Sequence, residues 1–155
     1  MSWRGDNRGV SIALNNVLSI AITTVLISGL IIATSGFMQS QRANAATDEL
    51  SIIGQRTATD LVKMDQYVTQ RSVPELVLET RLPSRVVGSS YLLSLSNETA
   101  VCGSGPCLVL TTVEPEEEVV IALDVSSPIE PSSVTGGTVR LVYDGSTLTI
   151  EEGDP

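Results

Sequence analysis

Histidine is absent from this 155-residue chain, and lysine occurs once, at Lys63. Without imidazole there is no ordinary Ser/His or Cys/His nucleophilic pair and no nitrogen ligand for a transition metal. Lys63 stands in a charged stretch, not in the apolar pocket that would turn an amine into a base or nucleophile. Aromatic residues make up 3% of the chain, too few to line a sugar platform around a carboxylate pair. These absences argue against an enzyme, and no cofactor or metal is expected. Basic charge is also scarce: 9 Lys and Arg stand against 18 Asp and Glu, and from Glu98 onward Arg140 is the sole base. A tail of that sign repels nucleic acid, so no nucleic-acid partner is expected. Many carboxylates with almost no lysine is also the surface bias of a halophilic protein.

The longest absence is of charge altogether. Nothing between Arg8 and Arg42 is charged, and no proline occurs before Pro74. A secretory signal has an apolar region of about 7 to 15 residues, and a spanning helix needs about 20. The run "VLSIAITTVLISGLIIATSGFM" fits the second length, although "ANA" at Ala43 to Ala45 is an acceptable small-x-small cleavage site. Arg4 and Arg8 place positive charge before the run, which orients the amino end in the cytoplasm and the carboxyl end outside. Gly9 then separates the charged leader from "VSIALNN". A peptidase at the cytoplasmic membrane face needs such a small residue, and Arg8-Gly9-Val10 supplies it.

With its "RGVS" start, its long apolar helix and the later "DELSIIGQRTATDL", the chain resembles the pilin-like proteins of haloarchaea, relatives of type IV pilins and archaellins that carry a class III signal peptide. The resemblance covers about the first 70 residues. It implies a prepilin peptidase as a partner, a cut between Gly9 and Val10, and assembly with other pilin-like subunits. Type IV pilins usually have a glutamate five residues after the cut. Here Leu14 takes that place, followed by Asn15 and Asn16, which favours a minor pilin or pseudopilin over a major one. The expected function is therefore a structural subunit of a type IV pilus-like surface filament or secretion machine. The alternative is a single-pass anchored extracellular binding module that does not polymerise.

Beyond Arg42 the pattern becomes amphipathic: Leu50, Ile53, Thr57, Leu61, Met64 and Val68 recur at spacings of three and four, with Asp48, Glu49, Arg56, Asp60, Lys63 and Asp65 mostly on other faces. One helix from Val10 to Val73, stopped by Pro74, would be about 90 Å long at 1.5 Å per residue. Within its apolar part, Gly29, Ala33 and Gly36 form a line of small residues along which a second helix could pack closely.

From Glu75 the period changes to two. "ELVLET", "SSYLLSLS", "CLVLTT", "EEVVIALDV", "GTVRLVYDG" and "STLTIEE" read as strands separated by turn residues, and Asp144-Gly145 is a hairpin signal. The expected fold is α+β, a long amino-terminal helix, transmembrane then amphipathic, followed by a small antiparallel β-sandwich or sheet of six or seven strands. Its divisions are a leader at 1–9, a transmembrane helix at 10–38, an amphipathic stalk at 39–73 and an extracellular β domain at 74–155.

Three surface features complete the reading. Cys102 and Cys107 flank "GSGP" between strand-like sequences and, outside the cell, predict a disulfide stapling a hairpin tip. Asn97-Glu98-Thr99 is a glycosylation sequon just before that tip. "EPEEE" at Glu114 to Glu118 lacks the spacing of a calcium loop and reads as a solvated edge that discourages strand addition.

Overall fold

The computed structural model of the chain describes residues 7–154, with side chains from Ala13 onward. One helix, α1 (Asn7–Arg71), precedes β1 (Leu76–Arg81), β2 (Tyr91–Ser96), a single turn α2 (Thr99–Cys102), β3 (Cys107–Thr112), β4 (Glu117–Ala122), β5 (Ser132–Thr135), β6 (Thr138–Tyr143) and β7 (Leu148–Glu152). The fold is α+β. The chain divides into two compact units, one ending at Ser40 and the other beginning at Gln41.

Among the described residues the first unit is the apolar part of α1. Every side chain from Ala13 to Arg42 is exposed. In the second unit the rest of α1 is amphipathic, and its sequence dictates which face turns inward. Leu50, Ile53, Thr57, Leu61, Met64 and Val68 are all buried, the largest exposure among them being 6%. Spacings of three and four place them on one stripe, with Ala46 and Ala58 beside them. Asp65 departs from the expectation that the charges lie elsewhere: it is 4% exposed and sits on the buried side. Its carboxylate accepts the backbone N–H groups of Ser126 and Ser127, each at 2.8 Å. A loop that needs two acceptors is what makes a buried carboxylate tolerable there. The helix ends where the sequence stops it, at Ser72 with φ of 50° and Pro74 two residues on.

The strands form two antiparallel sheets, β1-β6-β7 and β4-β3-β2-β5. Their registers put the alternating apolar residues on one face. Leu78 pairs with Leu141 and Leu141 with Ile150 in one sheet, and Leu93 with Leu110 and Leu110 with Val119 in the other. Leu93, Leu110, Leu141 and Ile150 join the α1 stripe in a single core with Val119 packed against it, whereas Leu78 on β1 is exposed. The two sheets meet where β7 runs beside β5, with the Ile150 N–H donated to Ser132 Oγ at 3.0 Å.

One glycine sets how closely the helix approaches. At Gly54 a Cβ would run into Ile121 Cδ1 and come within 2.7 Å of Leu110 Cδ1, so β3 and β4 pack against bare backbone. Tyr91 closes the opposite flank, its hydroxyl donating to the Pro83 carbonyl at 2.8 Å. Burial pushes that phenol up to about 12. The expected Asp-Gly hairpin joins β6 to β7. Asp144 Oδ1 accepts the N–H groups of Ser146 and Thr147, and Gly145 takes a φ of 94° that suits a residue without Cβ.

Candidate functional site

The chemistry on offer lies in the exposed apolar part of α1. Leucine, isoleucine and valine cover it on all sides: Val17, Leu18, Ile20, Val25, Leu26 and Ile32 are each more than half exposed. A helix apolar all round is stable only when something apolar surrounds it. Six hydroxyls within it are already satisfied. Those of Thr23, Thr24, Ser28, Thr34, Ser35 and Ser40 each donate to the carbonyl four residues earlier, at 2.7 to 3.2 Å. Such back-bonding lets a hydroxyl enter a medium without water. Among the described residues α1 is the one helix long and apolar enough to cross a membrane.

Carboxamides bracket the most apolar stretch, with Asn15 and Asn16 before it and Gln39 and Gln41 after it. The interval 17–38 would span about 33 Å as a helix, close to a hydrocarbon core of about 30 Å. The small residues Gly29, Ala33 and Gly36 lie inside that interval. At Gly29 and Gly36 an added Cβ would meet nothing within 4 Å. Arg8, Gly9 and Val10 lie in the first turn of α1, but their side chains, like the whole of residues 1–6, fall outside the described residues.

The second unit carries the remaining candidate groups on its surface. Cys102 and Cys107 are joined by a disulfide, with Cα atoms 5.3 Å apart. The bond links α2 to the start of β3, so one flank of the staple is a helical turn and not the strand expected from sequence. Asn97 follows the last rung of β2 and is exposed, as are Glu98 and Thr99. The acidic run Glu114 to Glu118 opens the edge strand β4, as its charge suggested. There Glu117 Oε2 accepts the Thr47 hydroxyl at 3.2 Å.

Three carboxylates accept backbone N–H groups. Burial raises Asp65, but the N–H groups of Ser126 and Ser127 outweigh it and hold the carboxyl below its ordinary 3.8. Asp144, fully exposed, is held at about 2 by the Thr147 N–H first and by Ser146 next. Glu49 accepts the Val87 N–H at 3.3 Å. All three secure turns, and none faces a cavity with a second acid. An open groove of about 440 Å³ lies between α1 and β4, with Lys63, Gln66 and Asp124 on its walls. Among the described residues no three metal-ligating side chains come together.

Sequence reasoning missed Gly54 and Asp65. The signal for Gly54 was its place on the helical face of Leu50, Leu61 and Met64, where a glycine marks close approach. Asp65 had the same signal, since it follows Met64 and precedes Val68 at three residues. Comparison with curated proteins finds no match, and comparison with solved structures finds none either. A family profile does match, over residues 5–151, and so takes in the apolar helix and all of the β domain up to β7. The chain belongs to that family, a family of unknown function designated DUF7266.

Proposed function

We propose that this protein is a pilin-like structural subunit, a minor pilin or pseudopilin, that is inserted with its amino end in the cytoplasm and its β domain outside. The prepilin peptidase removes residues 1–9 by cutting between Gly9 and Val10. The apolar part of α1 then leaves the bilayer for the core of a type IV pilus-like filament or secretion machine. The observation that carries this reading is the contrast along α1: an apolar part with no cover from its own chain precedes an amphipathic part that its own sheets cover. A segment exposed on all sides must be clothed first by lipid and then by neighbouring subunits. The line of Gly29, Ala33 and Gly36 is the face along which neighbours approach. Substitution there has room in the folded protein, so its cost falls on assembly.

The test is the mass of the amino-terminal peptide of protein taken from its own membranes. A chain beginning at Val10 supports the reading. A chain that keeps its leader contradicts it and favours an anchored binding module, for which the groove beside Lys63 is the natural ligand face. A chain beginning at Ala46 means ordinary signal cleavage after Ala45.

A further inference from the structure

The sequon at Asn97 does no structural work that would explain it. An Asn two residues before the first turn of a helix, and a Thr in that turn, are the residue types that usually cap it. Here Glu98 occupies the cap position, extended at φ −73° and ψ 118°, and makes no side-chain cap bond. The N–H groups of Val101 and Cys102 are served by the Glu98 backbone carbonyl. Among the described residues neither the Asn97 carboxamide nor the Thr99 hydroxyl has a hydrogen-bond partner. Both groups of the tripeptide that a transferase must reach are therefore free, exposed and carried on a turn. That turn is closed at its base by the β2–β3 pairing of Ser96 with Cys107. It is also the one N-x-S/T tripeptide in the sequence.

Its position is favourable as well. Ser96 pairs with Cys107 and Cys107 with Ala122, so Asn97 lies at the end of the sheet where β4 finishes. Ala122 and Asp124 line the groove with Lys63 and Gln66 of α1, whereas the other end of β4 meets Thr47 through Glu117. Thr47 and Lys63 are separated by about 24 Å of helix. A bulky group on Asn97 would thus stand well away from the end of the sheet nearest in sequence to the apolar segment, and would leave that end unobstructed.

We propose that Asn97 is the acceptor of an N-linked glycan, transferred from a glycan carried on a membrane lipid phosphate. In that step Asn97 Nδ2 attacks the anomeric carbon, the bond from that carbon to the phosphate oxygen breaks with its electron pair leaving on the phosphate, and a new C–N bond forms. One Nδ2 proton passes to a base of the transferase, and nothing is oxidised or reduced. Thr99 supplies the hydroxyl by which the transferase recognises the site. The assignment rests on the outside location of the β domain proposed above.

The experiment uses the full chain purified from its own cells, reduced and digested with trypsin. Arg85 and Arg140 bound one peptide, 86–140, that contains no other basic residue. The expected result is that most of this peptide carries sugar-sized added mass. N97Q and T99A should return it to the bare peptide mass, and T99S should retain the addition. In parallel, intact cells are treated with a membrane-impermeant amine reagent that reports Lys63, which is exposed. A bare peptide with Lys63 labelled would overturn the glycan and leave the orientation standing. A bare peptide with Lys63 unlabelled would overturn both. Added mass that persists in N97Q would place the sugar on another residue and overturn the assignment to Asn97.

Discussion

The two parts of α1 share one backbone geometry and differ in what their side chains can do with it. From Ala13 to Arg42 all side chains are exposed, and leucines, isoleucines and valines point in every direction. From Ala46 to Val68 most apolar residues narrow to one stripe, which the sheets cover, and Ile52 is left outside it. The glycines make the same point at single positions. A Cβ on Gly29 or Gly36 would meet open space, whereas one on Gly54 would enter the side chains of Ile121 and Leu110. Glycine in the first part can be spared by the fold, and glycine in the second part cannot. Constraint on the first part must therefore come from outside this chain's own fold.

Substitution by leucine on each side should break that comparison most strongly. Gly54→Leu overpacks the contact of α1 with β3 and β4 and should cost about 3 kcal/mol, more than the roughly 1 kcal/mol gained in helix propensity. The Gly29→Leu, Gly36→Leu double variant should leave unfolding of the β domain unchanged, measured by denaturant titration of the full chain in detergent. It should instead lower self-association in membrane crosslinking. If the double variant crosslinks as well as the parent, those residues are not the contact face.

The next effect concerns Asp65. Asp65→Ala removes a charged acceptor from the Ser126 and Ser127 N–H groups and should destabilise by about 2 to 3 kcal/mol. Acid sharpens the same point. Because the folded protein holds this carboxyl below its ordinary 3.8, its contribution is fully present above that value and is lost as pH falls through the lower folded value. Stability measured from pH 5 down to pH 2 should thus fall less steeply in Asp65→Ala than in the parent.

How much of this was legible in the sequence follows from the kind of signal each part carries. The stripe from Leu50 to Val68 was readable because spacing alone places those residues on one face. β1 to β4, β6 and β7 were readable from alternation, and the β6–β7 hairpin from Asp144-Gly145. β5 was not among the quoted runs, because in Ser132–Thr135 only Val134 is a buried apolar residue and the rest is turn-like. α2 was hidden because four residues cannot show a helical period. Asp65 was assigned outward by its charge, since the two N–H groups that justify its burial come from a loop about sixty residues away. The candidate segment at 17–38 was legible from composition, but its use was not, because nothing in one chain states what surrounds it.

Smaller changes complete the contrast. Replacing Cys102 and Cys107 together by serine should cost about 2 kcal/mol, the loop-closure entropy of so short a ring, and should be visible as a lower unfolding midpoint under oxidising conditions only. Thr34→Val should have the least effect of all, a few tenths of a kcal/mol at most on membrane insertion. Its hydroxyl is spent on the Leu30 carbonyl and owes nothing to a neighbour. A large loss of assembly in Thr34→Val would mean that this hydroxyl reaches across to a second helix.

The most direct measurement is the mass of this chain in material sheared from its own cells and pelleted as high-molecular-mass assemblies. The chain should be present there and begin at Val10. A chain found only in detergent extracts of the membrane, beginning before Val10, would contradict it and leave a tethered β domain in place of a filament subunit.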